Sequence, residues 1–214
     1  MSPLVKDAVS IAIEAHGSTT RKFSTHLYVT HPIAVMMFMD ARLSLYTSIS
    51  GQFRQIILAA AVLHDVVEDT TVSAGELRRK LAWHGAGHQV VDIVEELSEA
   101  KYSSAGERLP WEQRKAEHMA RIRTASNEAI LIKQADCLDN LQDTLEQARV
   151  DPESVNKFRG TTLQQRAYRM DIADLANGKI AFSRYRDLSK SFQDSIVSCQ
   201  AFLDVEMANY RGSK

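Results

Sequence analysis

Apolar residues recur at helical spacing along most of the chain. Leu4, Val5, Ala8, Val9, Ile11, Ala12 and Ala15 mark a first helix, with Ser2 as cap, Pro3 in the first turn and Gly17 as stop. A polar segment, GSTTRKFSTHLYVTHP, leads to a methionine-rich second helix over 33–45, with His31 at its lip before Pro32. Ser73 caps a helix ending at Gly85, and further helices are expected over 88–100 and 111–125, separated by a polar loop, KYSSAGERLP, that borders a pocket. Asn127 caps a long helix over 128–149; beyond Asp151-Pro152 come a short helix, a Gly160 break, a helix over 162–175, an Asn177-Gly178 stop and a last helix over 188–209. No strand alternation longer than a few residues, repeat or linker interrupts this pattern, which predicts an all-α, single-domain helical bundle.

One stretch breaks the rule that buried helices are apolar. From Ile56 to Leu63 every residue is apolar and Val66 and Val67 continue the run, yet AAAVLHDVVEDTT (59–71) carries His64, Asp65, Glu68 and Asp69. Read as one helix, four-residue spacing stacks His64 over Glu68 and Asp65 over Asp69 on one side. Burying such charge is costly unless it is paired or binds a metal. The doublet offers an imidazole nitrogen and a carboxylate oxygen to a cation, and the two carboxylates a turn later can position or deprotonate a water. An internal hydrogen-bonded His-Asp pair explains the doublet alone equally well. A second stretch, ILIKQADCLDNLQDT (130–144), places Lys133, Asp136 and Asn140 on one face of an otherwise apolar helix.

At 214 residues the chain buries a sizeable core without staples, and its formal net charge of −1 argues against a nucleic-acid or membrane-binding surface. Phosphate-binding charge must then be local, and Arg21-Lys22 is an adjacent basic pair. Cys137 and Cys199 suit a reducing compartment and lack metal-knuckle spacing. Without a spanning apolar run or a secretory core at the N-terminus, the expectation is a cytoplasmic protein.

AHGSTTRK (15–22), YVTHPIAV (28–35), AAAVLHDVVEDTT, KAEHMARI (115–122) and ILIKQADCLDNLQDT together resemble the HD-superfamily metal-dependent phosphohydrolases. The resemblance is narrower to the hydrolase domain of RelA/SpoT homologues and their small alarmone hydrolases. It spans about 15–144, with helices over 160–210 completing the bundle. It implies metal ligation by His31, His64, Asp65 and Asp136, with one Mn²⁺ as cofactor, and catalysis by Glu68 and Asp69. It places substrate contacts on Arg21, Lys22, Lys101, Lys133 and Asn140. The implied reaction removes the 3′-pyrophosphate of (p)ppGpp, giving pyrophosphate and GDP or GTP, without synthesis.

The late motif reads ADCLDN where that family usually has ADRLHN or ADKLYN, so Cys137 and Asp139 stand at its variable places. An extra carboxylate beside a pocket for a polyanion keeps two alternatives open: a hydrolase of another nucleotide such as (p)ppApp, and a non-catalytic binding or antitoxin-like module. The charged run ERLPWEQRKAEH reads as a solvated helix start, and His84, His88 and His118 lack the spacing of a two-metal site.

Overall fold

The computed structural model describes every residue except 23, 46–48, 50, 176, 177, 179, 182, 213 and 214. Among the described residues the only strand-like pairing is two isolated bridges, Thr20 with Leu27 and Tyr102 with Arg108. The helices are α1 (Pro3–His16), α2 (Thr30–Leu43), α3 (Gly51–Leu63), α4 (Val66–Asp69), α5 (Ala74–Lys80), α6 (Gly87–Leu97), α7 (Trp111–Thr124) and α8 (Asn127–Val150). A 3-10 turn (Pro152–Lys157), α9 (Thr162–Asp174) and α10 (Arg186–Gly212) complete the order. The Asn177 stop lies outside the described residues.

The all-apolar stretch of α3 explains the architecture. Ile56 to Leu63 are all buried, so α3 needs neighbours on every side, and α1, α2, α6 and α8 supply them. The 24-residue α8 forms the second axis, with the 27-residue α10 packed along it. No helix among the described residues is long and apolar enough to cross a membrane.

The structure moves several boundaries. The helix expected through 59–71 breaks at the His-Asp doublet: α3 ends at Leu63, His64 and Asp65 form a turn, and α4 follows. His64 Nδ1 lies 2.8 Å from Ala61 O, the carbonyl that a continuing helix would have offered to the Asp65 amide. The side chain thus replaces a backbone bond at the break. α2 starts three residues early, taking His31 into its first turn. Ser126, not Asn127, caps α8: its Oγ accepts from Ala129 N at 3.2 Å, while Glu96 Oε2 fixes it at 2.5 Å. α5 stops at Lys80 rather than running to Gly85, and a glycine is needed two residues further on, where a Cβ on Gly87 would stand 2.2 Å from Leu81 O. Ser73 caps α5 as expected, through Glu76 N.

Candidate active site

Four elements meet where α3 breaks. His31 comes from the first turn of α2, His64 and Asp65 from the α3–α4 turn, and Asp136 from the middle of α8. His31 Nε2 lies 3.1 Å from Asp136 Oδ1 and 3.4 Å from Asp65 Oδ2; His64 Nε2 lies 3.2 Å from Asp65 Oδ1 and 3.7 Å from Asp136 Oδ1. One donor atom each from His31, His64 and Asp65 falls within 4.8 Å of the others. Donors about 2.1 Å from a shared centre sit roughly 3 Å apart when adjacent, so these edges fit a single cation.

The charge pattern fits it too. Burial opposes protonation of His31, but hydrogen bonds to Asp136, Asp139 and Asp65 outweigh it and hold its pKa well above the imidazole range. His64 behaves alike: against burial, the Asp65 carboxylate and then the Asp136 carboxylate push it up to about 10. Burial would raise the Asp65 and Asp136 carboxyls, but the paired cations, His64 at one and Lys133 at the other, hold both well below their usual range. The carboxylates therefore stabilise positive charge between them, which two imidazolium protons or one dication can supply. His64 Nε2 is buried without a hydrogen-bond partner, as a nitrogen reserved for a metal would be.

Beside the cage opens a cavity of about 330 Å³, lined by ten of the eleven residues expected from sequence; only His64 sits behind the wall. Glu68 Oε2 accepts from Glu99 N at 3.0 Å and Lys101 Nζ lies 3.2 Å from its Oε1. Burial, then the Asp65 charge, raises the Glu68 carboxyl pKa against the pull of Lys101. Lys101 also bonds Asp69. Lys133 is spent on Asp136 Oδ2 at 2.6 Å, and Asn140 Nδ2 donates to Asp136 Oδ1 at 2.5 Å. Arg21 is tied to α8 through Asp139, Asn140 and Asp143. Lys22 alone of the expected cationic contacts faces the cavity without an ion pair among the described residues.

The profile of the HD domain family matches residues 8–164. The chain belongs to the HD domain family. The resemblance drawn from its motifs therefore holds, and the match continues past the last of them into the start of α9. Over 141 residues, 65% of this chain and 69% of the relative, it is 32% identical to the guanosine-3′,5′-bis(diphosphate) 3′-pyrophosphohydrolase MESH1 of Xenopus tropicalis. The human protein of that name is 31% identical over 154 residues, covering 72% of this chain and 74% of its own. A solved metazoan ortholog of SpoT, described as hydrolysing ppGpp, shares the fold with a TM-score of 0.65 at 24% identity, over 95% of this chain and 98% of that one. The Listeria monocytogenes EGD-e protein lmo0812 matches with a TM-score of 0.57 at 27% identity, over 78% and 90% of the two chains.

The HD domain pocket also holds residues that the sequence reading missed. The run around Trp111 is not a solvated helix start: Arg114 and His118 are buried, and Arg114 and Lys115 both bond Glu99, at 2.7 and 2.6 Å. Tyr168 of α9 meets His118 Nδ1 at 2.9 Å and lies under Lys115 Nζ, 4.9 Å from its ring centre. Arg108 and Arg159 face the cavity from the loops before α7 and α9. Gly160 holds its loop flat on Trp111: its φ is 79° and a Cβ there would stand 2.9 Å from the indole. The Tyr28 hydroxyl reaches both Asp65 and Asp69. A hint was present in the KAEHMARI match, where Lys115 and His118 sit three apart on one helix face.

Proposed function

We propose that this HD domain hydrolyses the 3′-pyrophosphate of guanosine alarmones, (p)ppGpp, releasing pyrophosphate and GDP or GTP. The observation that carries the reading is the convergence, around one cavity, of a two-imidazole, two-carboxylate cage, the Glu68–Asp69 carboxylate pair and basic side chains from six segments. Relatives named for that reaction support it.

His31, His64, Asp65 and Asp136 would hold one divalent cation, a first-row ion by their mixed nitrogen and oxygen donors and Mn²⁺ by the resemblance to the alarmone hydrolases, and when bound it would supply Lewis acidity to the scissile phosphoryl group. Glu68, with its raised pKa, orients a water and accepts its proton as the water oxygen adds to the phosphorus bearing ribose O3′. The P–O3′ bond then breaks, and O3′ leaves as a hydroxyl carrying the proton that Glu68 returns. Lys101, itself bonded to Asp69, fixes Glu68 from one side and the Glu99 amide from the other. Lys22 and the surrounding cations balance the charge of the departing pyrophosphate.

The test is pyrophosphate release from ppGpp and ppApp side by side, with Mn²⁺ and again after chelation. Metal-dependent release from ppGpp, with ppApp slower, is expected. Preference for ppApp would change the base, and no release from either by metal-loaded protein would overturn the proposal in favour of a binding module.

A further inference from the structure

We propose that Asp139 is a positioning residue for the metal ligand His31 and that Arg21 is the positioning residue for Asp139, an arginine that serves the cage instead of the substrate's phosphates. The inference rests on reading the His-Asp cage as a metal site.

An imidazole that ligates through one nitrogen must carry its proton on the other, and whatever accepts that proton sets the tautomer and aims the ring. His31 turns Nε2 toward Asp65 and Asp136, and its Nδ1 lies 2.6 Å from Asp139 Oδ2. The other imidazole is aimed by a backbone carbonyl, Ala61 O. Only His31 is backed by a full negative charge. The charge makes Nε2 a stronger donor, and it does so from the position where the late motif departs from its usual wording.

A carboxylate so near Asp65 and Asp136 is itself unfavourable without a counter-charge. Arg21 supplies it. Its Nη1 donates to Asp139 Oδ2 at 3.0 Å, Nη2 to Asn140 Oδ1 at 3.2 Å and Nε to Asp143 Oδ2 at 3.2 Å, so all three guanidinium nitrogens are committed to one face of α8. The Arg21 and Asp139 side chains are only 10% and 14% exposed. A phosphate could recruit this guanidinium only by breaking bonds that hold the cage together. The adjacent Lys22, with no such partners, is left to meet the anion.

The experiment titrates Mn²⁺ into chelator-stripped protein by calorimetry with no nucleotide present, and records the visible spectrum of the Co²⁺ form. Asp139→Ala is expected to weaken Mn²⁺ binding by about 10- to 100-fold. Asp139→Asn, which keeps an acceptor for the Nδ1 proton, recovers most of that loss. Arg21→Ala weakens binding in the same assay, and the Arg21→Ala, Asp139→Ala double variant is no weaker than Asp139→Ala alone. Melting of the metal-free variants checks the fold; if Asp139→Ala does not fold, a Co²⁺ spectrum altered in Asp139→Asn supports the proposal and an unaltered one overturns it. Wild-type metal affinity in Asp139→Ala overturns the role of Asp139. Wild-type metal affinity with a raised KM in Arg21→Ala returns the arginine to the phosphates. Wild-type protein that takes up no divalent cation overturns the metal reading and this proposal together, whereas a wrong nucleotide leaves every one of these binding results in place.

Discussion

The Tyr28 hydroxyl donates to Asp65 Oδ2 at 2.7 Å and stands 2.9 Å from Asp69 Oδ2, so one phenol bridges a cage carboxylate and a carboxylate of the cavity. Burial and then the Asp65 and Asp69 charges push the phenol pKa up, which keeps the proton in place to be donated. Tyr28→Phe retains the ring against His16, whose centroid is 4.9 Å away, and removes only the bridge. A hydrogen bond to a charged acceptor is worth about 1.5–3 kcal/mol, so kcat is expected to fall roughly 10- to 100-fold with the melting temperature little changed. Undiminished kcat in Tyr28→Phe would show that the two carboxylates need no bridge.

Glu68 differs from its neighbour in how it is held. Its two oxygens are fixed by the Glu99 amide and by Lys101, while burial raises its pKa toward the range useful for proton transfer. Glu68→Gln keeps the shape and loses the proton acceptor. Metal and nucleotide binding should survive, with single-turnover pyrophosphate release slowed by about 10²- to 10⁴-fold. Wild-type turnover in this variant would move the role to Asp69.

His64 and Asp65 stood out because they interrupt an apolar run where burial of charge demands a reason, whereas the roles expected of Asp136 and Asn140 came from the resemblance of the late motif. The break after Leu63 was not legible, because nothing in local spacing reveals that His64 will bond Ala61 O. The ties of Arg21 to α8 were not legible, because its three acceptors lie 118 to 122 residues further along, on a helix whose facing local spacing does not reveal. The start of α7 failed for the same reason. Arg114 and His118 look like surface residues until Glu99 and Tyr168 are placed beside them, and paired charge is what makes their burial tolerable.

His118 ties acid stability to this buried cluster. Nε2 donates to Leu97 O at 2.8 Å and Nδ1 accepts from the Tyr168 hydroxyl at 2.9 Å, a pairing that only the neutral ring can make. Burial first, then the Lys133 and Lys115 charges, push its pKa down to about 3 from a usual 6.5. Between those values the unfolded chain binds a proton that the folded chain excludes, so stability rises with pH through the window. The contribution is full above pH 6.5 and is lost as pH falls toward 3, with a slope approaching 1.4 kcal/mol per pH unit for one proton, on the order of the linkage limit. Denaturant melts of wild type and His118→Gln from pH 4 to 8 should show a flatter slope in the variant; parallel slopes would assign the acid sensitivity elsewhere.

Lys22, Arg108 and Arg159 face the cavity with no ion pair among the described residues, unlike Lys101 and Lys133, which carboxylates already hold. Desolvation at the cavity wall pushes the Lys22 pKa down against the pull of Asp69, and Lys101, Arg159 and Arg114 add smaller like-charge repulsion. Such repulsion is relieved by a polyanion, so these side chains should contribute to KM and leave kcat nearly unchanged. Lys22 and Arg159 are both exposed, and an exposed charge pair is worth about 0.2–1 kcal/mol, so Lys22→Ala and Arg159→Ala should each raise KM no more than about fivefold. Raising ionic strength from about 0.05 to 0.5 M should erase both effects. A Lys22 effect that survives high salt would place its ammonium in desolvated contact with the nucleotide, and a fall in kcat instead of a rise in KM would place it at the reacting phosphate.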